Sequence, residues 1–181
     1  MVRSGSRGVS SVIATILLVA VVVVLAATVS VFVFGVADDV DEAAPTVAQS
    51  SGELVTQEGN DGGIVRLTHE GGDSLAVSNL EIVVDARKAC GKTGRLVNLP
   101  AEGGDPRPTD EYVRGDDVFD NSYNSVGGPI GEAGGVWEVG GTSTFRLAKS
   151  ECPLDRGDSI TVHVVHTPTD SIVIEQTMTA R

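Results

Sequence analysis

GVSSVIATILLVAVVVVLAATVSVFVFGVA, residues 8–37, holds no charged side chain, and it stands close to the start of a chain of 181 residues. As a helix rising 1.5 Å per residue it is about 45 Å long, more than the roughly 30 Å of bilayer hydrocarbon. Valine-rich stretches such as Val21 to Val24 form helix poorly in water. In lipid, however, every backbone polar group must be satisfied within the segment, which favours helix whatever the propensity. Arg3 and Arg7 precede the run, and Asp38, Asp39, Asp41 and Glu42 follow it. The positive-inside rule therefore places the N-terminus in the cytoplasm and the bulk of the chain outside.

An ordinary secretory signal has about 7–15 apolar residues and then a small-residue cleavage site. Here the run is longer and the small residue comes first, as Arg7-Gly8 followed by Val9. The stretch RGVSSVIATILLVAVVVVLAATVSVFVFG resembles the N-terminus of an archaeal type IV prepilin. A second stretch, RLTHEGGDSLAVSNLEIVVD at 66–85, resembles the start of the β-rich head in haloarchaeal members. The resemblance implies that a prepilin peptidase cuts between Gly8 and Val9 and leaves the helix on the mature subunit. It also implies other pilin subunits as partners, in a homopolymer or mixed filament, together with a pilus assembly ATPase and its membrane platform. Before assembly the membrane itself is the partner. Ser11 and Ala14 depart from the proline and glycine usual in the family, and Ile13 stands where bacterial type IV pilins carry a glutamate.

Small residues recur four apart in the run: Ser10 with Ala14, Ser11 with Thr15, and Ala26 with Ser30. Such spacing lets neighbouring helices approach closely, as a filament core requires. A single-span anchor in which the spacing is accidental has the same hydrophobicity. The expected role is a structural subunit of a type IV pilus-like surface filament, serving adhesion or biofilm formation. The alternatives are a membrane-anchored extracellular binding module that never polymerises, or a minor pilin or swimming-filament subunit.

All 25 acidic residues and only 11 of the 13 basic ones follow the apolar run, so that part carries a net −14. Lysine is confined to Lys88, Lys92 and Lys149, and aromatics make up 4% of the chain. High negative charge favours solubility at the cost of self-repulsion, which concentrated salt screens, a balance typical of extreme halophiles. With no basic patch to neutralise phosphates, nucleic-acid binding is not expected. Cys90 and Cys152 fall outside the membrane in this topology, where disulfides persist, so they form either a bridge or two free buried thiols.

The organisation read from these features is a basic leader at 1–8, a membrane and filament-core helix at 9–37, an acidic linker at 38–44 and one extracellular head at 45–181. The fold class is α+β: a long N-terminal hydrophobic helix, then an all-β, sandwich-like head. Alternating or β-branched apolar runs between glycine-rich turns place strands at 53–57, 64–69, 75–77, 79–85, 95–99, 136–139, 142–148, 159–167 and 171–179. The last two form a hairpin around Thr167-Pro168-Thr169-Asp170. Residues 100–135, rich in Gly, Pro, Asp and Asn, read as a long loop or loop pair.

Several motifs have a chemical and a plainer reading. Gly72-Asp73-Ser74-Leu75 spells the nucleophile block of a hydrolase family, but Gly59-Asn60-Asp61 comes before it and not after. Neither His163 nor His166 has an aspartate three residues earlier, and the same letters recur as Gly157-Asp158-Ser159-Ile160. Both copies therefore read as turns leading into strands, and no catalytic residue or enzymatic activity is expected. His163 and His166, three apart on a strand, point to opposite faces and cannot jointly chelate. His69 reads as a surface or partly buried histidine. Gly91-Lys92-Thr93 lacks the phosphate-loop glycine at Ala86, and the tripeptides Arg114-Gly115-Asp116 and Arg156-Gly157-Asp158 are common enough to coincide by chance. Asp116, Asp117, Asp120 and Asn124 offer oxygen ligands of the kind calcium prefers, yet they read foremost as a solvated acidic loop. No cofactor and no metal are assigned.

Overall fold

The computed structural model describes residues 7–37, 43–57, 62–101, 107–132 and 135–181, with only the helical backbone at 7–11 and 31–37. The chain divides into two compact units, Met1–Asp41 and Glu42–Arg181. Residues 1–6 of the expected leader and 38–42 of the expected linker lie outside the described residues.

The first unit is built on one helix, α1 (Arg7–Ala37), of 31 residues. Its segment Val12–Ser30 has a mean hydropathy of 3.1 and is long and apolar enough to cross a membrane. Both threonine hydroxyls of this segment turn onto the helix backbone: Thr15 Oγ1 donates to the Val12 carbonyl at 2.8 Å, and Thr28 Oγ1 to that of Leu25 at 2.9 Å. Back-bonding of this kind removes the cost of placing a hydroxyl in hydrocarbon or against another helix.

In the second unit eleven strands are described: β1 (Val47–Thr56), β2 (Gly63–Gly72), β3 (Leu75–Ala76), β4 (Leu80–Ala86), β5 (Lys92–Leu96), β6 (Val113–Gly115), β7 (Val126–Gly127), β8 (Val136–Trp137), β9 (Thr142–Leu147), β10 (Ser159–His166) and β11 (Ser171–Thr179). One sheet has the order β1-β2-β9-β7, the other β11-β10-β4-β5-β6, and β3 pairs with β8. All pairings between these strands are antiparallel.

Alternation builds the core. In β4, Leu80, Ile82, Val84 and Ala86 are buried while the residues between them are half-buried; in β10, Ile160, Val162 and Val164 repeat the pattern. From the facing sheet come Leu54, Val65, Leu67, Phe145 and Leu147, so both apolar faces are removed from water in one cluster. Trp137 is fully buried and donates its indole N–H to the Gly141 carbonyl at 2.9 Å. Phe119 meets Phe145 edge-on with ring centres 5.9 Å apart.

Every expected strand has a counterpart, and the hairpin joins β10 and β11 as expected. Four expectations need correction. β1 begins at Val47, six residues before 53, because backbone pairing with β2 carries Ala48-Gln49-Ser50-Ser51-Gly52 along an edge where no apolar alternation is required. β5 occupies Lys92–Leu96 and not 95–99, held by its register against β4 from Ala86↔Lys92 to Ile82↔Leu96. The expected strand at 75–77 is only the two residues of β3, followed by a 3-10 turn at Val77–Asn79. The segment 100–135 is not simply loop: its described residues hold β6, β7 and a 3-10 turn, and they bury Ala101, Val118, Phe119, Val126 and Ile130. Strands of two or three residues are too short to show a period.

Candidate assembly helix and head surface

At 3.6 residues per turn, Ser11, Thr15, Ala26 and Ser30 fall within a stripe of about 100° on α1, and Ala14 lies to one side of it. Of the expected packing residues, Ala14, Thr15, Ala26 and Ser30 lie in the part of the helix whose side chains are described, and there they are exposed. Ser10, Ser11, Gly8 and Val9 lie on the helical backbone, but their side chains are outside the described residues. The large apolar side chains between Val12 and Val29 are 53–65% exposed, and they surround the helix. A helix apolar all round needs lipid or other helices against it.

In the head, Cys90 and Cys152 are joined by a disulfide, with Cα atoms 5.3 Å apart. It ties the turn after β4 to the segment after β9, where Lys92 Nζ also meets Glu151 Oε2 at 2.8 Å. Two of the four candidate calcium ligands, Asp116 and Asp120, have their carboxylates on donors of the head. Asp116 Oδ2 accepts the Thr93 N–H at 2.8 Å, and Asp120 accepts both the backbone N–H and the hydroxyl of Ser122 at 3.0 and 2.6 Å. The Asp117 carbonyl accepts from Lys92 Nζ at 3.4 Å, and Asn124 holds a turn at φ 54°. Among the described residues no group of three or more His, Cys, Asp or Glu side chains is placed to hold a metal ion.

The repeated Gly-Asp-Ser motifs are turns. Gly72 and Gly157 have φ of 120° and 98°, and the aspartate after each caps a backbone amide, Asp73 that of Thr46 and Asp158 that of Asp155. Ser74 is exposed, and the nearby His69 directs Nε2 at the Asp73 carbonyl, 2.8 Å away. His69 is fully buried, against the expectation of a surface or partly buried ring, because β2 alternates inward at that position. His163 is half-buried and His166 buried on opposite faces of β10; the first lies 3.5 Å from Glu175 and the second bonds Thr169 Oγ1 at 2.8 Å. Of the arginine-glycine-aspartate tripeptides, Arg156-Gly157-Asp158 opens on a turn, while Arg114 and Gly115 end β6; Arg114 Nη1 donates to the carbonyls of Asp110 and Val113 at 2.9 and 2.7 Å.

Sequence reasoning missed one juxtaposition, Arg95 directly opposite Arg114 on β5 and β6. The three residues of β6 lie in the stretch read as loop, so nothing linked the two arginines along the chain.

Among the described residues, Asp85 is a carboxylate held well below its ordinary pKa. Arg87 holds its carboxyl at a pKa of about 2, through a side-chain hydrogen bond first and a backbone N–H second, the guanidinium meeting the carboxylate at 2.5 and 2.9 Å. The Arg87 side chain is 72% exposed, so this is a surface pair.

The architecture is one apolar helix long enough to cross a membrane and a head of antiparallel sheets. Residues 7–48 match the family model for the N-terminal region of archaeal type IV pilins, so this segment is similar to that of the family. Over 92 residues, 51% of this chain, it is 38% identical to an uncharacterized protein of Archaeoglobus fulgidus. The matched stretch spans 62% of that relative's length.

Proposed function

We propose that this chain is the structural subunit of an archaeal type IV pilus-like surface filament, serving adhesion or biofilm formation. The match of residues 7–48 to the pilin N-terminal region carries the reading. Before assembly the helix sits in the membrane with its N-terminus cytoplasmic. A prepilin peptidase removes residues 1–8, and an assembly ATPase with its membrane platform extracts the subunit into the filament. Helix-to-helix packing then replaces lipid around Val12–Ser30, as an all-round apolar surface demands. The head acts by binding and packing, without catalysis or a cofactor, and its acidity suits concentrated salt.

The test is the mass of the native N-terminus. A mature chain beginning VSSVIATILL is expected, and Gly8 replaced by a bulky residue leaves precursor in the membrane. A native start at Met1 overturns the reading in favour of a permanent anchor, and a start at Asp38 in favour of a secreted protein.

A further inference from the structure

The outer face of the five-stranded sheet carries one cross-strand row, Glu175, His163, Val83, Arg95 and Arg114. Charge along it runs from acidic at β11 to basic at β6. Like charges directly opposite on neighbouring strands disfavour pairing, so two arginines side by side need a compensating anion. Glu81 supplies part of it, its Oε2 lying 2.8 Å from Arg95 Nη1. Arg114 instead braces itself on backbone carbonyls through its own Nη1, with no carboxylate in those contacts. Both arginines are exposed at a groove of about 490 Å³ lined also by Glu81, Val83, Thr93 and Asn98. Gly115, at φ 78°, adds no side chain to its rim.

From this geometry we propose that the groove binds a uronic-acid residue of an acidic polysaccharide. A volume of this size suits a small ligand such as one or two sugar rings. Two guanidinium forks at one rim match the planar, bidentate geometry of a carboxylate better than any point charge does. Thr93, Asn98 and Glu81 offer hydroxyl, amide and carboxylate partners for ring hydroxyls, over the apolar Val83. The remainder of the head is strongly acidic and repels polyanions, so recognition has to be local to this pair. The site belongs to the head alone and stands whether or not the helix builds filaments.

The experiment is titration of the full chain in detergent micelles, by calorimetry, with trigalacturonate and with its neutral methyl ester. Binding of trigalacturonate that is at least about tenfold tighter than the ester is expected, corresponding to 1.4 kcal/mol. Arg95→Gln and Arg95→Lys, each with an unchanged melting curve, should weaken it several-fold. Arg87→Gln, in the turn after β4 and outside the groove, should not. Equal binding of the ester, equal weakening by Arg87→Gln, or no binding at millimolar trigalacturonate overturns the proposal. Concentration-dependent self-association lost in Arg95→Gln, without uronate binding, overturns it in favour of a second copy supplying the carboxylate.

Discussion

Thr46 and Asp73 clasp one another twice: the Thr46 N–H donates to Asp73 Oδ2 at 3.0 Å, and the Asp73 N–H returns to the Thr46 carbonyl at 2.9 Å. The clasp fixes the residue that leads into β1 against the turn after β2. Gly72 makes it possible, since a Cβ there would lie 2.2 Å from the Thr46 oxygen at a φ of 120°. Asp73→Ala is therefore expected to cost about 1 kcal/mol, the net worth of an exposed hydrogen bond. Gly72→Ala should cost more, because strain joins a backbone clash. Thermal unfolding of both variants checks this, and a Gly72→Ala head as stable as the parent would contradict it.

The disulfide closes 62 residues of sequence separation across the head. On the chain-entropy account, a loop of that length restricts the unfolded ensemble by about 4 kcal/mol. Cys90→Ser with Cys152→Ser should therefore melt on the order of 10 °C lower. The parent in reductant should fall equally far once the bond is broken. If neither shifts the melting curve, the bridge contributes nothing to the stability of the head.

Asp85 gives a pH signature whose sign is fixed. Its folded pKa lies near 2, below the usual carboxylate value, so its contribution is complete above about pH 4 and is lost as pH falls toward 2. The effect is small, because the pair is exposed and Arg87, two residues away, stays close in the unfolded chain too. Asp85→Asn should cost less than about 1 kcal/mol at neutral pH. It should also flatten the stability curve between pH 4 and 2. A variant whose acid limb overlays the parent's would show that Arg87 stabilises the carboxylate equally in both states.

What was legible in the sequence followed from period and length. The alternation in Leu80-Glu81-Ile82-Val83-Val84 placed β4, and an uncharged run of thirty residues placed α1. Illegible were features set by partners distant along the chain. Val118 and Phe119 are buried beside Asp116, Asp117 and Asp120, and the only local sign was two apolar residues together in an acidic stretch. His69 is buried by register, within a strand whose neighbours Thr68 and Glu70 look like surface. The small-residue stripe on α1 was legible as spacing, and its described side chains are exposed.

A net charge of −14 beyond the helix should make stability rise with salt. Raising potassium chloride from about 0.1 M to about 1 M shortens the Debye length from about 10 Å to about 3 Å, which screens repulsion between carboxylates. The melting temperature is expected to climb over that range. A flat or falling response would mean that the acidic surface is balanced by local pairs such as Arg95 with Glu81 and Lys92 with Glu151.

The helix itself separates a polymer from an anchor. An anchor requires only hydrophobicity, so exchanging small residues for leucine is harmless while the segment still spans. A filament core requires close approach along the stripe that holds Thr15, Ala26 and Ser30. The double variant Ala26→Leu, Ser30→Leu should insert and be processed as the parent is, yet yield few or no filaments, because the larger side chains hold neighbouring helices apart. Val24→Leu, on the side roughly opposite Ala26, should assemble far better. The readout is filament number by electron microscopy beside the amount of processed subunit in the membrane. Normal filaments in the double variant, with few in Val24→Leu, would move the packing face to the other side of α1. A parent chain that is processed but never forms filaments under any growth condition would make it an anchored binding module.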